Sequence, residues 1–342
     1  MNVTAKDIVN ALTMFGLSAE VTDFSFFQND FDEEESEGKF ILRADVSNGK
    51  TYVVRFIRQE DYPRVKTEEQ SIFAEYLREH GVATAKKYKS GDAYCTAYRL
   101  ASLDFDLTVE DYIGKAGNFR IDANAIHKIG RLTGQMHRIS AQNSLHLSAD
   151  TLYNLIGHNE FSGYRAFQWF GNEGFINKEM FDRICAAYEA KMERIRAVWE
   201  SLPCYALQGD TCVYNLTYND GELGVFDYNN AGNGVLVYDM MVHGFYTAYH
   251  SRKNYTAETV TERDKRSLFD AYCDGYASER PLTASEKAVF DDIFALTKGM
   301  HHLRINFVEG SLGKLIESKE HGKIDALLRE IYHDISGDSR SC

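Results

Sequence analysis

The stretch from residue 207 to residue 239 constrains this chain more strongly than any other part of its sequence. Asp210 and Asn215 stand five residues apart after a short apolar run, and Asp227 follows a second apolar run. Asp and Asn are common in loops and turns, so local chain geometry explains each of these residues taken alone. Their joint spacing needs a second explanation.

The residues between Asn215 and Asp227 predict a β-hairpin. Residues 216–218 and 223–226 have the composition of short strands, and the sequence Asn-Asp-Gly at 219–221 is a tight-turn signal. Because a hairpin returns the chain to its starting point, we expect Asn215 and Asp227 to lie side by side.

Three oxygen-bearing side chains at one end of a hairpin suit phosphoryl transfer. That reaction needs a carboxylate to orient the attacking hydroxyl and hard oxygen ligands for a Mg²⁺ ion on the phosphates. We predict that Asp210 is the catalytic carboxylate and that Asn215 and Asp227 are the metal ligands.

The same stretch resembles the catalytic segment of the aminoglycoside phosphotransferase and choline kinase superfamily, small-molecule kinases with a protein-kinase-like fold. The matching residues are Gly209-Asp210, Asn215, Phe226-Asp227, Ala231-Gly232 and Tyr238-Asp239. Two positions depart from the family pattern: Gln208 replaces the usual His, and Tyr-Asn-Asn at 228–230 replaces a Phe-Gly-Asp type of sequence. The resemblance implies that Asp239 fixes the catalytic loop, and Gln208 predicts a retuned loop.

The resemblance implies an α+β fold with two lobes. The N-terminal lobe, residues 1–102, would be a nucleotide-binding, five-stranded antiparallel sheet, and residues 103–342 would be a larger, mainly helical lobe for catalysis and acceptor binding. Residues 101–104 would be the hinge that holds the adenine. Aromatic and β-branched residues predict strands at 21–27, 39–46 and 51–57 and two more within 88–100.

Two residues of the N-terminal lobe are predicted to bind the nucleotide. Arg55 occupies the place of the family's third-strand Lys, which contacts the phosphates, although an Arg on an edge strand is the simpler alternative. Glu69 falls on the apolar face of a helix predicted over 66–79, so we expect it to pair with Arg55. The acidic link at 29–38 replaces a glycine-rich flap, and we expect its tip to be a solvated surface loop.

The C-terminal part is predicted to be helical. A stripe of apolar residues follows Asp122, in which Gly130 and Gly134 would allow a neighbouring backbone to approach closely. His137, near the end of this helix, is expected to support the catalytic loop. Further helices are predicted over 178–200, 237–250, 261–278, 283–299 and 322–336.

Composition excludes several functional classes. The formal charge of −13 argues against a nucleic-acid partner and fits a cationic substrate, although solubility explains it equally well. The six Cys lack metal-ligand spacing, which favours reduced thiols in a cytoplasmic protein. No run of 18 apolar residues indicates a membrane span.

The sequence therefore predicts a kinase that transfers the γ-phosphate of ATP or GTP, with Mg²⁺, to a hydroxyl of a small molecule. The acceptor would be an amino alcohol, an aminoglycoside-like compound or another metabolite. Two alternatives stay open: a non-catalytic nucleotide-binding pseudokinase, which Arg55, Gln208 and the acidic link suggest, and a Ser/Thr protein kinase of the same superfamily. The oligomeric state is not predicted.

Overall fold

The structure, a computed structural model, describes most of the chain. The described residues are 2–18, 20–32, 37–58, 63–117, 119–157, 162–219, 221–250, 261–306 and 308–337. They fall into two compact units. The sheet unit comprises Met1–Arg120, Leu145–Asp150 and Asp210–Asn233, and the helical unit comprises Ile121–Ser144, Thr151–Gly209 and Gly234–Cys342.

The chain alternates strands and helices early and is mainly helical later. Up to residue 120 the elements are α1 (Ala5–Met14), β1 (Val21–Asp32), β2 (Glu37–Val46), β3 (Thr51–Arg58), α2 (Arg64–Glu79), β4 (Thr96–Leu100) and β5 (Leu103–Asp111). After it come α3 (Ala123–Gln142), α4 (Gly163–Asn172), α5 (Lys178–Arg196), β6 (Cys204–Leu207), β7 (Leu216–Asn219), β8 (Glu222–Val225), β9 (Gly232–Val235), α6 (Leu236–His250), α7 (Glu262–Glu279), α8 (Ala284–Met300), α9 (His302–Ile305), α10 (Leu312–Glu317) and α11 (His321–Ser336).

The sheet unit is built on one five-stranded antiparallel sheet in the order β1-β2-β3-β5-β4. Alternate residues of its strands point to one face, where Leu42 of β2 lies opposite Val54 of β3. Phe40, Phe56 and Phe105 are completely buried on that face, together with Ile8 and Leu12 of α1. The apolar half of the alternation thus forms a core, and the other half is left for polar side chains.

The fifth strand of the sheet differs from the prediction. Residues 101–104 are not a hinge after the sheet, because β4 and β5 are paired strands and their register continues through Leu100 opposite Leu103. Ala101 has a φ of 54°, a left-handed conformation that reverses the chain in this tight turn. The boundary between lobes at residue 102 therefore falls within a hairpin, and the division into lobes 1–102 and 103–342 stays a prediction.

The helical unit contains long helices with defined ends. Asp122 caps α3 by accepting from the Ala125 N–H at 2.9 Å, and Thr283 with Glu286 forms a capping box at the start of α8. α3 packs on α7 with almost no space between the backbones. A Cβ added at Gly130 would lie 2.0 Å from the Tyr272 carbonyl oxygen, and one at Gly134 would lie 2.6 Å from that of Tyr276. The close approach predicted at these two glycines is confirmed.

The fold class is confirmed as α+β, with a five-stranded antiparallel sheet in one unit and mainly helical structure in the other. In the part of the chain that the structure describes, no helix has the length and apolar character that crossing a membrane requires. The tip of the predicted acidic link, residues 33–36, lies outside the described residues.

Candidate active site

The candidate active site begins with the loop between Asp210 and Asn215. Asn215 Nδ2 donates to both the carboxylate Oδ2 and the backbone carbonyl of Asp210, each at 2.9 Å. A single 3₁₀ turn over Val213–Asn215 makes this contact by bringing the amide back over the loop. Asn230 Nδ2 also reaches Asp210 Oδ2, at 3.4 Å. Both amides fix the orientation of the predicted catalytic carboxylate.

The hairpin that follows brings Asp227 to the same place. β7 and β8 pair antiparallel, with Leu216 opposite Val225, and the Phe226 N–H donates to the Asn215 carbonyl at 3.0 Å. The predicted juxtaposition of Asn215 and Asp227 is therefore present, although the turn residue Asp220 lies outside the described part. Asp227 has a φ of 61°, which is unusual for a residue other than Gly and is commoner at functional sites.

Arg55 lies in the site, but its partners differ from the prediction. Arg55 Nη2 donates to Glu110 Oε1 at 2.7 Å, and Nη1 donates to Asp227 Oδ1 at 3.3 Å. Glu110 also accepts from Lys87 Nζ. Arg55, Lys87 and Glu110 keep only 4–8% of their side-chain surface exposed, whereas Asp227 keeps 32%. We call these four residues the cation cluster.

The strand register explains why Glu110 contacts Arg55. In the β3–β5 pair, Arg55 is opposite Thr108 and Val53 is opposite Glu110. Arg55 and Glu110 therefore lie on the same face of the sheet, as diagonal neighbours within reach of long side chains. This is the face opposite the apolar core.

The predicted ion pair between Arg55 and Glu69 is wrong. Glu69 Oε2 instead accepts from the backbone N–H of Ser148 at 3.0 Å and from its hydroxyl. The prediction assumed that Ile72 and Glu69 share the inward face of α2. In the structure Ile72 is 51% exposed, and Glu75 is the buried glutamate, accepting from the Lys87 N–H and from Arg78.

Electrostatics hold Arg55 and Glu110 of the cation cluster in their charged forms. Burial disfavours the Glu110 carboxylate, but the charges and hydrogen bonds of Arg55 and Lys87 outweigh it and lower the pKa of Glu110 to about 2. Burial likewise disfavours the Arg55 cation, and Glu110 with Asp227 reverses that effect and raises the Arg55 pKa. At neutral pH Arg55 and Glu110 are therefore both charged and form a buried ion pair.

A small cavity, about 280 Å³ when the open space at its mouth is included, adjoins Arg55 on the α2 side. Its wall includes Thr67 and Gln70 of α2 together with Lys87 and Asn229. Gln70 Nε2 donates to the carbonyl of Asn229 at 2.8 Å and to that of Ala231 at 3.1 Å. These bonds attach the turn after Asp227 to α2 and so support the position of that carboxylate.

Comparison with known proteins identifies the family. The sequence model described as the phosphotransferase enzyme family (APH) matches residues 36–282, which include the whole of the candidate site. The chain belongs to this family. It is therefore a phosphotransferase, and the resemblance first seen in residues 207–239 is confirmed. A search of curated protein sequences finds no match.

Solved structures of phosphotransferases share the fold at low identity. An amicoumacin kinase in complex with AMP-PNP, Ca²⁺ and its ligand has a TM-score of 0.59 and 14% identity, covering 90% of this chain and 87% of its own. A microcompartment-associated aminopropanol kinase has a TM-score of 0.59 and 15% identity, covering 98% of both chains. A spectinomycin phosphotransferase in complex with ADP and spectinomycin has a TM-score of 0.52 and 12% identity, covering 98% of this chain and 100% of its own.

Asp239 and His137 lie in a second buried network of hydrogen bonds, which is inside the helical unit and separate from the cation cluster. The Asp239 carboxylate can only accept, so His137 Nε2 donates to its Oδ2 at 3.1 Å, and His243 Nε2 contacts Oδ1 at 3.2 Å. Burial lowers the pKa of His137, so the ring is neutral and its Nδ1 accepts from the Tyr276 hydroxyl at 2.9 Å, which in turn accepts from Arg280 at 2.9 Å. The predicted support of the catalytic loop by His137 and Asp239 stays a prediction. Gln208, one of the two departures from the family pattern, is buried.

Asn215 and Asp227 have the chemistry that a divalent cation requires. Carboxylate and amide oxygens are the hard ligands that Mg²⁺ and Ca²⁺ prefer. Because the Asn215 amide nitrogen is committed to Asp210, the amide is oriented and its oxygen is the atom left for a ligand. Among the described residues, no group of three or more His, Cys, Asp or Glu side chains is arranged to hold a metal ion. The pair of Asn215 and Asp227 is not such a group, because it has two members and one of them is an Asn.

Two residues of the site were missed by the sequence reasoning. Glu110 and Lys87 complete the cation cluster, and one signal for Glu110 was present. Residues 103–109 alternate Leu, Phe, Leu and Val with Asp, Asp and Thr, which is the pattern of a half-buried strand. Glu110 continues its polar half. Lys87 lies in an irregular segment, and no periodicity identifies it.

Proposed function

We propose that this phosphotransferase moves the γ-phosphate of ATP or GTP to a hydroxyl of a small molecule, with Mg²⁺ as the metal. The acceptor class is an amino alcohol, an aminoglycoside-like compound or another hydroxylated metabolite. The observation that carries the proposal is the arrangement of Asp210, Asn215 and Asp227 around one hairpin of the sheet unit. Asn215 is hydrogen-bonded to Asp210 and to the backbone N–H of Phe226, the residue before Asp227.

Each residue has a separate task in the proposed reaction. Asp210 accepts or orients the proton of the attacking hydroxyl, and its amide partners keep the carboxylate aimed. Asn215 and Asp227 hold the metal, which when bound neutralises charge on the phosphates. The amicoumacin kinase complex, which contains AMP-PNP and Ca²⁺, supports a nucleotide and a divalent cation for this chain.

Arg55 is proposed to bind the nucleotide phosphates, and Glu110 is proposed to position it. The buried Glu110 and the partly exposed Asp227 both accept from the Arg55 guanidinium, and these two contacts fix its position over β3. Its fork geometry matches phosphate oxygens as well as a carboxylate. Glu69, initially proposed with Arg55, is left with a role at the Ser148 backbone.

Nucleotide consumption tests the proposal. Amines, antibiotics and sugars are screened for stimulated hydrolysis or transfer with Mg²⁺, and Asp210→Ala is run beside the wild type. We expect stimulation by at least one hydroxylated acceptor and a loss of about 10²–10⁴-fold in turnover for the variant, with unchanged nucleotide affinity. Equal turnover in both proteins would reject the role of Asp210.

A labelling experiment separates small-molecule from protein acceptors. The wild type and the Asp210→Ala variant are incubated with γ-labelled nucleotide and a cell extract, and labelled products are separated by size. The proposal expects Asp210-dependent label on small molecules. Label that appears on proteins alone would contradict it.

A further inference from the structure

One ion pair of the cation cluster involves a carboxylate that the proposed reaction needs for the metal. Asp227 Oδ1 accepts from Arg55 Nη1 at 3.3 Å and from the Asn229 N–H at 3.4 Å. A divalent ion that ligated this oxygen would have to displace the guanidinium or lie directly beside it. Arg55 and the metal ion therefore compete for the same carboxylate.

Arg55 is held in this place from the side away from Asp227. Its Nη2 donates to Glu110 Oε1 at 2.7 Å, and both side chains are buried. Glu110 also accepts from Lys87, so a second cation fixes the carboxylate that holds Arg55. The guanidinium of an Arg is not deprotonated in proteins. A permanent, buried positive charge therefore lies next to the proposed metal ligand.

A positive charge at this distance weakens the binding of a second cation to the carboxylate. The size of the effect is known for the proton: a cation within about 4–6 Å lowers the affinity of a carboxylate for H⁺ about 10–10³-fold. A divalent ion carries twice the charge of a proton, so the guanidinium repels it more strongly. Because Arg55 is buried, solvent ions screen this repulsion little. We therefore expect Asp227 to bind a divalent ion weakly as long as Arg55 contacts it.

A phosphate group removes this conflict. Its oxygens accept from the fork of an Arg as a carboxylate does, so a bound phosphate gives Arg55 a partner in place of Asp227. The negative charge of the phosphate also offsets the repulsion between the guanidinium and the metal ion. Of the two carboxylates on Arg55, Glu110 keeps 4% of its side-chain surface exposed and Asp227 keeps 32%. Asp227 is thus the partner that a ligand from solvent can replace.

We propose that Arg55 makes the metal site conditional on phosphate. Arg55 holds Asp227 until a phosphate-bearing ligand takes the place of that carboxylate, and Asp227 and Asn215 then bind the divalent ion tightly. The proposal rests on the proposed function for the identity of the two metal ligands. It gives Arg55 a second role besides phosphate binding, which is to keep the site from binding a metal ion in the absence of phosphate.

Binding of Mn²⁺ to the full-length protein, without nucleotide and without acceptor, tests the proposal. Mn²⁺ is a probe that prefers the same oxygen ligands as Mg²⁺, and EPR spectroscopy measures the concentration of the free ion. Arg55→Met keeps a long side chain and removes its charge, so this variant should bind one Mn²⁺ ion at least about 10-fold more tightly than the wild type. Equal or weaker binding by the folded variant would overturn the proposal.

Two further variants locate the effect. Arg43→Met is the matched control, because Arg43 lies on the same face of the sheet as Arg55 and pairs with Asp45 at 2.9 Å. Its Mn²⁺ affinity should stay within about 2-fold of the wild type, since an exposed charge is well screened. Asn215→Ala combined with Arg55→Met should lose the gain in affinity. An equal gain in Arg43→Met, or a gain retained in the double variant, would overturn the proposal.

Circular dichroism and melting curves show whether each variant is folded. Arg55→Gln is the second variant if Arg55→Met does not fold, because its amide still donates to Glu110 while the charge is removed; the same 10-fold gain is expected, and no gain overturns the proposal. The failures are distinguishable. Tight Mn²⁺ binding to the wild type that Asn215→Ala abolishes rejects the role of Arg55 and leaves the proposed function intact. Mn²⁺ binding that never depends on Asn215 rejects the metal ligands as well.

Discussion

Two aspartate networks, one in each unit, show how the same side chain serves different purposes. Asp227 in the sheet unit contacts Arg55 at 3.3 Å and keeps 32% of its side chain exposed. Asp239 in the helical unit contacts two histidines at 3.1 and 3.2 Å and keeps 3% exposed. A carboxylate that remains open to solvent can exchange a protein partner for a ligand, whereas an enclosed one with two donors is part of the packing.

The pKa directions support this difference. Burial raises the pKa of Asp239, but His243 and His137 outweigh it and leave the pKa well below its ordinary value, so its charge is retained inside the unit. The donors that achieve this come from α3 and α6 and are themselves buried. Asp239 is thus held by side chains from two helices and connects them, which is a stabilising role.

The largest expected effect is on turnover at the open aspartate. Asp227→Ala removes a proposed metal ligand, whose contribution to transition-state stabilisation is several kcal/mol, so turnover should fall about 10³-fold. The melting temperature should change little, because the side chain is partly exposed. Steady-state kinetics and thermal unfolding measure the two effects, and Asp291→Ala, an exposed helix position, is the control. Wild-type turnover in Asp227→Ala would remove the difference between the two aspartates.

The enclosed aspartate should show the reverse pattern. Asp239→Ala leaves two histidine donors without their charged acceptor, and each such hydrogen bond contributes about 1.5–3 kcal/mol. We expect the free energy of unfolding to fall by about 3 kcal/mol or more in urea titrations. A loss below about 1 kcal/mol, similar to that of Asp291→Ala, would show that the network contributes little to stability.

Acid should weaken the cation cluster through Glu110. The folded-state pKa of Glu110 is about 2, below its ordinary value of 4.5, so its ionised form stabilises the fold above pH 4.5. That stabilisation, of order 3 kcal/mol, is lost as the pH falls from about 4.5 to about 2. The difference in unfolding free energy between wild type and Glu110→Gln should therefore shrink across this window. A constant difference from pH 6 to pH 2.5 would contradict the charged state of Glu110.

The smallest effect distinguishes the two glutamates considered as partners of Arg55. Glu110→Gln weakens the positioning of Arg55, and we expect the KM for nucleotide to rise about 10-fold, the equivalent of one charge-assisted hydrogen bond, with a smaller change in kcat. Glu69→Gln should change the KM less than about 2-fold, because its partner is Ser148. The opposite order would restore the original pairing of Arg55 with Glu69.

The structural features that depend on a local sequence pattern were predicted correctly. The hairpin after Asn215 needed only a turn signal between two short strands, and the contact of α3 with α7 needed only two glycines on one helix face. The partner of Arg55 depended instead on the register of β5, a strand that was interpreted as a hinge. Side-chain pairs between distant strands follow from register, and local composition does not fix register.

The prediction of which glutamate of α2 faces inward was wrong for a related reason. Several faces of this helix carry both apolar and acidic residues, so periodicity alone did not identify the inward side. The structure buries Glu75 because the backbone N–H of Lys87 and the side chain of Arg78 satisfy its carboxylate. A carboxylate can be buried only where hydrogen-bond donors satisfy it, and some of those donors come from segments that helical periodicity does not describe.

The most direct test of the central claim is the dependence of nucleotide binding on Mg²⁺ in the wild type and in Asp227→Ala. If Asp210, Asn215 and Asp227 form one phosphoryl-transfer site, added Mg²⁺ should tighten ATP or GTP binding to the wild type about 10-fold or more and leave the variant nearly unchanged. An equal Mg²⁺ effect on both proteins, measured by calorimetry, would contradict the account.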